Sequence, residues 1–340
     1  MKKHLQKVLR KNNQENKNNY EIILSQNERN YPLNNKFFKK FINSISQQDL
    51  FFYPNTNKFK IRLSKLFGLK EYNVLLTPGS DIGIKTIFET FDVKDKNIIT
   101  SNYCFPMYGV YSSLYQCVVK KAFYKKSKLN IRDILKKIDQ DTQFIILANP
   151  NSPIGDYFTF NQIKPLLDTG VYVVIDEAYQ EFTDKDSFAK HVKKYKNLIV
   201  LKTFSKAYGA AGCRVGYVLS DKSNIDILSK FRFMYEISGI SLKYCNFVLD
   251  NLPSYNRYTE KTLTEKFKLV KRLRKSSLRI LDTPTSWFFI KSSKHILGLF
   301  EKNRILVRTI VHPVDNQEWI KFNYDLSLKD NQLIDDLLSI

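Results

Sequence analysis

The stretch Asn197-Leu-Ile-Val-Leu-Lys-Thr-Phe-Ser-Lys206 runs from an apolar segment into a polar loop that carries a lysine. Its apolar half predicts a strand that is buried on both faces, as strands of parallel sheets are. Beyond Lys206 two glycines loosen the loop, and Arg214 opens another apolar run. We therefore expect Lys206 to lie at the edge of a sheet, between two buried strands.

Similar apolar runs recur along the chain. The seven predicted strands cover residues 74–77, 97–100, 116–123, 144–148, 171–175, 198–201 and 215–219. Helical spacing lies between most of them, for example over residues 80–91, 130–138 and 160–167. This alternation predicts an α/β fold with a mainly parallel seven-stranded sheet flanked by helices. Ligands bind such sheets at the carboxyl ends of the strands.

The alternation stops after about residue 220, which suggests a second structural unit. Helical stretches at residues 242–252 and 259–274 precede a compact αβ tail that ends in a helix over residues 331–340. We predict a large domain over residues 46–250 and a small αβ domain over residues 251–340. Residues 1–45 are expected to form an N-terminal arm and to add to the small domain.

Composition and charge limit the classes of function. The 340 residues have a net charge of +22, but the basic residues are scattered and interleave with aromatic residues only at residues 120–126. Nucleic-acid binding is therefore the weaker alternative. No apolar run approaches the roughly 18 residues of a membrane helix, and no signal-peptide core follows the first residues. Four cysteines without CxxC spacing indicate reduced thiols, so we expect a cytoplasmic protein with no membrane partner.

The residues around Lys206 predict that its amine reacts with a carbonyl group. A lysine between buried strands loses solvation, and an uncharged amine can attack a carbonyl. Ser205 and Arg214 beside it suit a phosphate monoester, as hydroxyl donor and bidentate cation. Together they predict a phosphorylated aldehyde held covalently by Lys206. The alternative is a surface lysine in a flexible loop.

Other polar groups follow other predicted strands. Gly79-Ser80-Asp81 opens a helix, whose free N–H groups can bind an anion, although a capped turn also explains it. Asp176 ends an apolar strand, where a carboxylate is costly unless it meets a cation. A helix cap or a magnesium ion are the alternatives for Asp176.

Two further side chains complete a candidate site. The turn at residues 149–155 can hold the amide of Asn151 in one orientation, or be only a tight connection. Tyr108 follows another strand and can stack on a planar ring, or belong to the core. A pyridoxal 5′-phosphate site explains all these features, with Asp176 on the pyridine nitrogen and Asn151 and Tyr179 on the phenolate oxygen.

Several motifs resemble those of the aminotransferase class I/II superfamily, and within it those of histidinol-phosphate aminotransferases. They are Asn149-Pro-Asn-Ser-Pro-Ile-Gly155, Asp176-Glu-Ala-Tyr179, Thr203-Phe-Ser-Lys206, Arg214-Val-Gly-Tyr217, Gly79-Ser-Asp81, Tyr53-Pro54 and Gln26-Asn-Glu28. The resemblance implies a fold-type I homodimer with shared active sites, no metal, and Lys206, Asp176 and Tyr108 as catalytic residues. Tyr53 would reach the cofactor phosphate of the other subunit, Tyr108 would stack on the ring, and Lys206 would also shuttle a proton.

The sequence departs from this family at the substrate end. Arg308 keeps the first of two family arginines, but Lys321 takes the place of the second, and lysine does not reproduce a bidentate clamp. Either a weaker carboxylate site remains, or Arg308, Lys321 and Arg29 bind a phosphate, with Asn27 nearby. Phe105 stands where the family has an acidic residue, which suggests a smaller or less basic substrate.

The resemblance therefore predicts an aminotransferase that moves an amino group from an amino-acid donor, expected to be glutamate, to a small phosphorylated ketone or aldehyde. The product would be similar to an amino-alcohol phosphate. A decarboxylase of a phosphorylated amino acid and a true histidinol-phosphate aminotransferase are the alternatives, and a basic nucleic-acid-binding protein is the non-enzyme alternative.

Overall fold

The computed structural model of the chain describes residues 3–8 and 17–340, so residues 1–2 and 9–16 of the expected N-terminal arm lie outside the described residues. The described N-terminal part contributes one short strand and three helices. These elements are β1 (Ile22–Ile23), α1 (Asn35–Ile42), α2 (Gln48–Phe51) and α3 (Asn57–Lys65).

A seven-stranded sheet forms the centre of the molecule, as the alternating pattern predicts. Its strands and helices are β2 (Val74–Thr77), α4 (Gly79–Thr90), β3 (Asn97–Ser101), α5 (Pro106–Leu114), β4 (Val118–Ala122), α6 (Ile131–Leu135), β5 (Thr142–Ala148), α7 (Phe160–Leu167), β6 (Tyr172–Asp176), β7 (Leu198–Thr203) and β8 (Gly216–Ser220). The strand order is β2-β8-β7-β6-β5-β3-β4, and β8 is antiparallel to both of its neighbours. The prediction of a mainly parallel α/β sheet is confirmed.

The inner strands are mostly apolar because helices cover both faces of the sheet, whereas the edge strand β4 carries Lys120 and Lys121. Successive side chains of β5 point to opposite faces, so Ile146 and Leu147 enter different apolar cores. One core includes α7 and α9, and the other includes α4 and α5. Because all strands except β8 run in the same direction, their carboxyl ends lie at a single edge of the sheet.

The remainder of the chain forms a smaller sheet and several helices. Its elements are α8 (Lys222–Leu228), α9 (Gly239–Asp250), α10 (Leu252–Leu273), β9 (Ile280–Leu281), β10 (Trp287–Lys291), α11 (Lys294–Lys302), β11 (Ile305–Leu306), β12 (Arg308–His312), β13 (Gln317–Asn323) and α12 (Gln332–Leu338). The antiparallel order is β12-β13-β10-β9. Helix α10 begins before the expected residue 259, because Pro253 lies in its first turn, where proline is tolerated.

The small sheet and the N-terminal segment both border the carboxyl ends of the large sheet. Strand β1 pairs in parallel with β11. The indole Nε1 of Trp287 donates to the carbonyl oxygen of Pro153 at 2.9 Å. A Cβ on Gly155, whose φ is +90°, would lie 2.7 Å from the Thr283 side chain, so this contact requires glycine. Among the described residues no helix is both long and apolar enough to cross a membrane.

A buried ion cluster joins β7 to the end of β6. The Nζ of Lys202 lies 2.9 Å from Glu177 Oε2 and 2.9 Å from Glu181 Oε1, and the side chains of Lys202 and Glu177 are each only 1% exposed. Burial by itself lowers the pKa of Lys202, but the two carboxylates outweigh it and raise the pKa above its ordinary value. The cluster therefore holds the strand that leads to Lys206 against the strand that ends at Asp176.

We expect Lys202→Met to lower the free energy of unfolding by about 3–5 kcal/mol, because it leaves two carboxylates buried without their cation. The matched control is Lys164→Met, which removes an exposed ion pair of 2.6 Å with Asp168. That control should change the free energy of unfolding by less than about 1 kcal/mol. Urea unfolding of the complete protein followed by circular dichroism measures both values, and equal losses would contradict the role of the cluster.

Candidate active site

A cavity of about 160 Å³ lies at the carboxyl ends of the central strands. Strands β5, β6 and β7 end at its floor, and the start of α4 forms one wall. This is the location that the parallel sheet predicts for a ligand. In the described part of the chain there is no group of three or more side chains suited to hold a metal ion.

Lys206 is half-buried and extends into this cavity. Its Nζ donates to the carbonyl oxygen of Gln26 at 2.7 Å, and its own carbonyl oxygen accepts from the N–H of Gly209 at 3.0 Å. Its Nζ also lies 5.7 Å from the ring centroid of Tyr179, and within the described ranges no ion pair with a carboxylate is seen for Lys206. An amine held in this way remains available to a carbonyl ligand.

Asp176 is only 5% exposed and closes the floor of the cavity. Its Oδ2 accepts from the hydroxyl of Tyr108 at 2.8 Å, and its Oδ1 accepts from the N–H of Ala178 at 3.1 Å. Burial raises the pKa of Asp176 to about 6, although the Tyr108 hydrogen bond opposes the shift. A protonated ring nitrogen beside this carboxylate would supply the missing cation.

A concave anion site, here called the anion cup, lies at the start of α4 and is formed by Gly79, Ser80, Ser205 and Arg214. The Nη1 of Arg214 donates to Ser205 Oγ at 3.3 Å. A Cβ on Gly79 would lie 2.4 Å from Arg214 Nη2, and a Cβ on Gly216 would lie 2.4 Å from Ser80 N. Only glycine permits these approaches. The positive end of the helix, a hydroxyl and a guanidinium therefore converge as a phosphate requires.

Lys321 of β13 extends toward the same site from the small sheet and is only 4% exposed. Its Nζ lies 3.3 Å from Asn27 Oδ1, 3.5 Å from Ser152 Oγ and 4.0 Å from a ring centroid of Trp287. In the described ranges Lys321 has no carboxylate partner. The arrangement is a pocket with one buried amine and two polar side chains around it.

Burial lowers the pKa of Lys321 well below its ordinary value, and the positive charges of Arg308 and Lys206 lower it further. Arg308 is the register partner of Lys321 on β12, but its side chain is exposed. Asn27 also donates to the hydroxyl of Tyr179 at 2.9 Å. An anion bound here would restore the charge on Lys321.

Tyr108 lies beside the cavity floor. Its ring is fully buried, its hydroxyl donates to Asp176, and it is not part of the cavity lining. Phe105, just before α5, lines the cavity and packs edge-on against Tyr108, with ring centroids 5.9 Å apart. The stacking role of Tyr108 stays a prediction, and Phe105 is a second aromatic side chain at this site.

The side chain of Asn151 likewise lies beside the cavity and is not part of its lining. Its amide donates to the carbonyl oxygen of Tyr103 at 2.9 Å, and its Oδ1 accepts from the N–H of Ile154 at 3.3 Å. These bonds hold the loop, and Ser152 is the residue of this loop that lines the cavity. The motif identified the loop, but only the turn geometry determines which side chain points inward.

Two other expected residues lie elsewhere in this chain. The guanidinium of Arg29 lies 3.8 Å from the ring centroid of Tyr258, in a separate groove. Tyr53 is 74% exposed and stacks on Tyr235 at 3.7 Å. Arg308 is exposed and does not line the cavity. The structure brings together ten of the expected residues, which are Gly79, Ser80, Asp81, Asp176, Tyr179, Ser205, Lys206, Arg214, Asn27 and Lys321.

The described residues fit pyridoxal 5′-phosphate. An amine, a buried acid and an anion cup surround one cavity, and these three features match its aldehyde, its ring nitrogen and its phosphate. Ser152 and Tyr179 also contribute hydroxyl groups to the lining of this cavity.

Comparisons with known proteins agree with this chemistry. The family model of aminotransferase class I and II matches residues 20–334. A histidinol-phosphate aminotransferase of Clostridium novyi is 30% identical over 80% of this chain and 78% of its own length. One of Pyrococcus furiosus is 31% identical, and the alignment spans 66% of each chain.

Solved structures share the fold. A histidinol-phosphate aminotransferase from Sinorhizobium meliloti, in complex with pyridoxal-5′-phosphate, superimposes with a TM-score of 0.83 at 19% identity, over 100% of this chain and 95% of that one. The L-threonine-O-3-phosphate decarboxylase from Porphyromonas gingivalis gives 0.77 at 20% identity, over 94% and 98%. Because the family model spans nearly all of the sequence, the chain belongs to the aminotransferase class I and II family, whose enzymes use pyridoxal 5′-phosphate.

Proposed function

We propose that this enzyme transfers an amino group from glutamate to a small phosphorylated ketone or aldehyde and forms an amino-alcohol phosphate. The observation that carries this proposal is the buried Lys321, whose Nζ lies near Asn27 and Ser152. A lysine is a point charge and fits the two oxygens of a carboxylate less well than an arginine does. A phosphate carries oxygens on several sides, so it can bind a single amine and the hydroxyl of Ser152 together.

Different residues of this chain carry out the separate steps of transamination. When bound, the cofactor supplies an aldehyde that takes up the amino group and a ring that accepts electrons from the substrate carbon. Asp176 holds a proton at the ring nitrogen. Lys206 removes the proton from the substrate Cα and returns one to the cofactor C4′, as general base and then general acid. Arg214 and Ser205 hold the phosphate and so fix the distance from Lys206 to the substrate.

Histidinol phosphate is one candidate substrate, because the relatives from Clostridium novyi and Pyrococcus furiosus are named histidinol-phosphate aminotransferases. A smaller or less basic substrate is favoured by Phe105, which contributes an apolar wall to the cavity. The nucleic-acid alternative has less support, since Tyr124 of the basic segment is buried and donates to Asp156 at 2.6 Å.

A decarboxylase of phosphorylated amino acids shares the fold, as the Porphyromonas gingivalis structure does. Such an enzyme must hold a carboxylate in a defined orientation, and Lys321 is a weak clamp for one.

We therefore expect the holoenzyme to convert glutamate to 2-oxoglutarate in a single turnover, with loss of the visible cofactor band. Lys206→Ala should abolish this reaction, and Lys222→Ala, on the surface of α8, should leave it unchanged.

The amine product is then tested in the reverse direction, with 2-oxoglutarate as acceptor. Serinol phosphate should be a better amino donor than histidinol phosphate, and glutamate should form from it. If carbon dioxide is released from O-phosphothreonine while glutamate gives no 2-oxoglutarate, the enzyme is a decarboxylase and the proposal fails.

The lowered pKa of Lys321 predicts a pH dependence. The protonated form attracts the anion, and it is lost as the pH rises through the lowered pKa, so the KM for serinol phosphate should increase with pH. Lys321→Arg keeps its charge and should remove this increase without improving turnover of the phosphate substrate. Lys291→Arg, at a lysine paired with Asp315 at 2.8 Å, is the control. An unchanged pH profile in Lys321→Arg would exclude Lys321 as the anion-binding group.

A second copy of the chain would complete the site. Tyr53 and Tyr235 stack within one exposed apolar surface, which comprises Leu50, Phe51, Phe52, Tyr53, Phe233, Met234 and Tyr235. Surfaces of this kind mark protein interfaces. We propose a homodimer in which Tyr53 reaches the cofactor phosphate of the partner subunit.

For this dimer we expect Met234→Asp to give a monomer in light scattering, because it would bury a charge at the interface. Tyr53→Phe should remain a dimer but bind the cofactor about tenfold more weakly, since it loses a hydrogen bond to a charged group. Tyr72→Phe, at another exposed tyrosine, serves as the control. If dimeric Tyr53→Phe binds the cofactor with unchanged affinity, Tyr53 does not contact the cofactor phosphate.

A further inference from the structure

A second cavity lies between the N-terminal segment, α1 and α10. Its volume is about 650 Å³, which is large enough for a small organic molecule. Among the described residues, none that lines this groove also lines the cavity around Lys206. The groove is therefore separate from the active site.

The floor of the groove is apolar and aromatic. Phe37 of α1 and Tyr255 and Tyr258 of α10 line it. The Tyr258 hydroxyl donates to Asp325 at 2.6 Å, and the Tyr255 hydroxyl donates to that of Tyr244 at 3.1 Å. Tyr255 is only 1% exposed, and the guanidinium of Arg29 lies 3.8 Å from the Tyr258 ring centroid. The half-buried Phe37 is therefore the aromatic ring that the floor presents to the groove.

The rim carries only positive charge. The cations that line the groove are Arg29, Lys36, Lys40, Arg257 and Lys261. No described lining residue is acidic, and in the described ranges none of these five cations forms an ion pair. The nearest polar contacts are neutral, since Arg29 Nε donates to the carbonyl oxygen of Tyr31 at 2.8 Å and Arg257 donates to Ser254 Oγ at 3.3 Å.

We propose that this groove binds a small organic anion, with its apolar body on the floor around Phe37 and its anionic group among the rim cations. Like charges gathered at one mouth repel each other unless a counter-ion is present. The floor favours an apolar body over a hydrated inorganic ion, because apolar burial adds to the charge attraction. The occupant is therefore an aromatic or aliphatic carboxylate, sulfonate or phosphate.

Arg29 connects the groove to the active site. A Cβ on Gly209 would lie 2.7 Å from Arg29 Cδ, so the arginine side chain packs directly on the loop that follows Lys206. A variant of Arg29 would disturb both sites. The test therefore changes only Lys40 and Lys261, which line the groove from α1 and α10.

The probe is 8-anilinonaphthalene-1-sulfonate, an aromatic sulfonate whose fluorescence rises in apolar surroundings, added to the holoenzyme. We expect one site per chain. The double variant Lys40→Ala/Lys261→Ala should weaken probe binding about tenfold, because it removes two surface cations. The control Lys39→Ala/Lys268→Ala changes the net charge equally on the same two helices, outside the groove, and should leave binding unchanged.

The neutral analogue N-phenyl-1-naphthylamine should bind more weakly than the sulfonate. Equal weakening by both double variants, or equal affinity for the neutral analogue, would overturn the proposal. Displacement of the probe by glutamate would also overturn it, because the probe would then lie in the active site. Circular dichroism spectra of the variants check that they are folded.

Discussion

The active site depends on the antiparallel insertion of β8 between β2 and β7. Gly216 at the start of β8 is the register partner of both Thr77 and Thr203, so the segments that follow β2 and β7 are brought to the same place. The helix start at Gly79 and the loop of Lys206 thereby form one cup. A side chain at Gly216 would lie 2.4 Å from the backbone of Gly79 and Ser80, so the whole arrangement requires a glycine there.

The buried charged groups around this cup differ in whether they have an ion-pair partner. Lys202 has two carboxylate partners, and its cluster is purely structural. Asp176 and Lys321 have no ion-pair partner in the described part of the chain, and burial shifts the pKa of Asp176 up and that of Lys321 down. Both shifts reflect a charge without a counter-charge. The two ends of the cavity are therefore complementary to ligands that bring a cation to one end and an anion to the other.

Local geometry decides which side chains line the cavity. Apolar runs identify strands, and Asp176 and Lys206 lie where those runs predict. Which of two neighbouring polar side chains faces a cavity depends on turn geometry, and in the loop of Asn151 it is Ser152 that lines the cavity. Near the start of α5, Phe105 lines the cavity and Tyr108 lies behind it against Asp176. These local rotations have no clear pattern in a single sequence.

The sequence by itself determined the strands, the loops that carry Lys206, Asp176 and Arg214, and the presence of Lys321 where a carboxylate-binding arginine was expected. Those features are local, because hydrophobic periodicity and short motifs express them within a few residues. Only the tertiary structure decided the strand order, the burial of Lys321 against Asn27 and Ser152, and the basic groove between α1 and α10. The contacts of Lys321 and the groove join residues more than 100 positions apart, and packing alone brings such residues together.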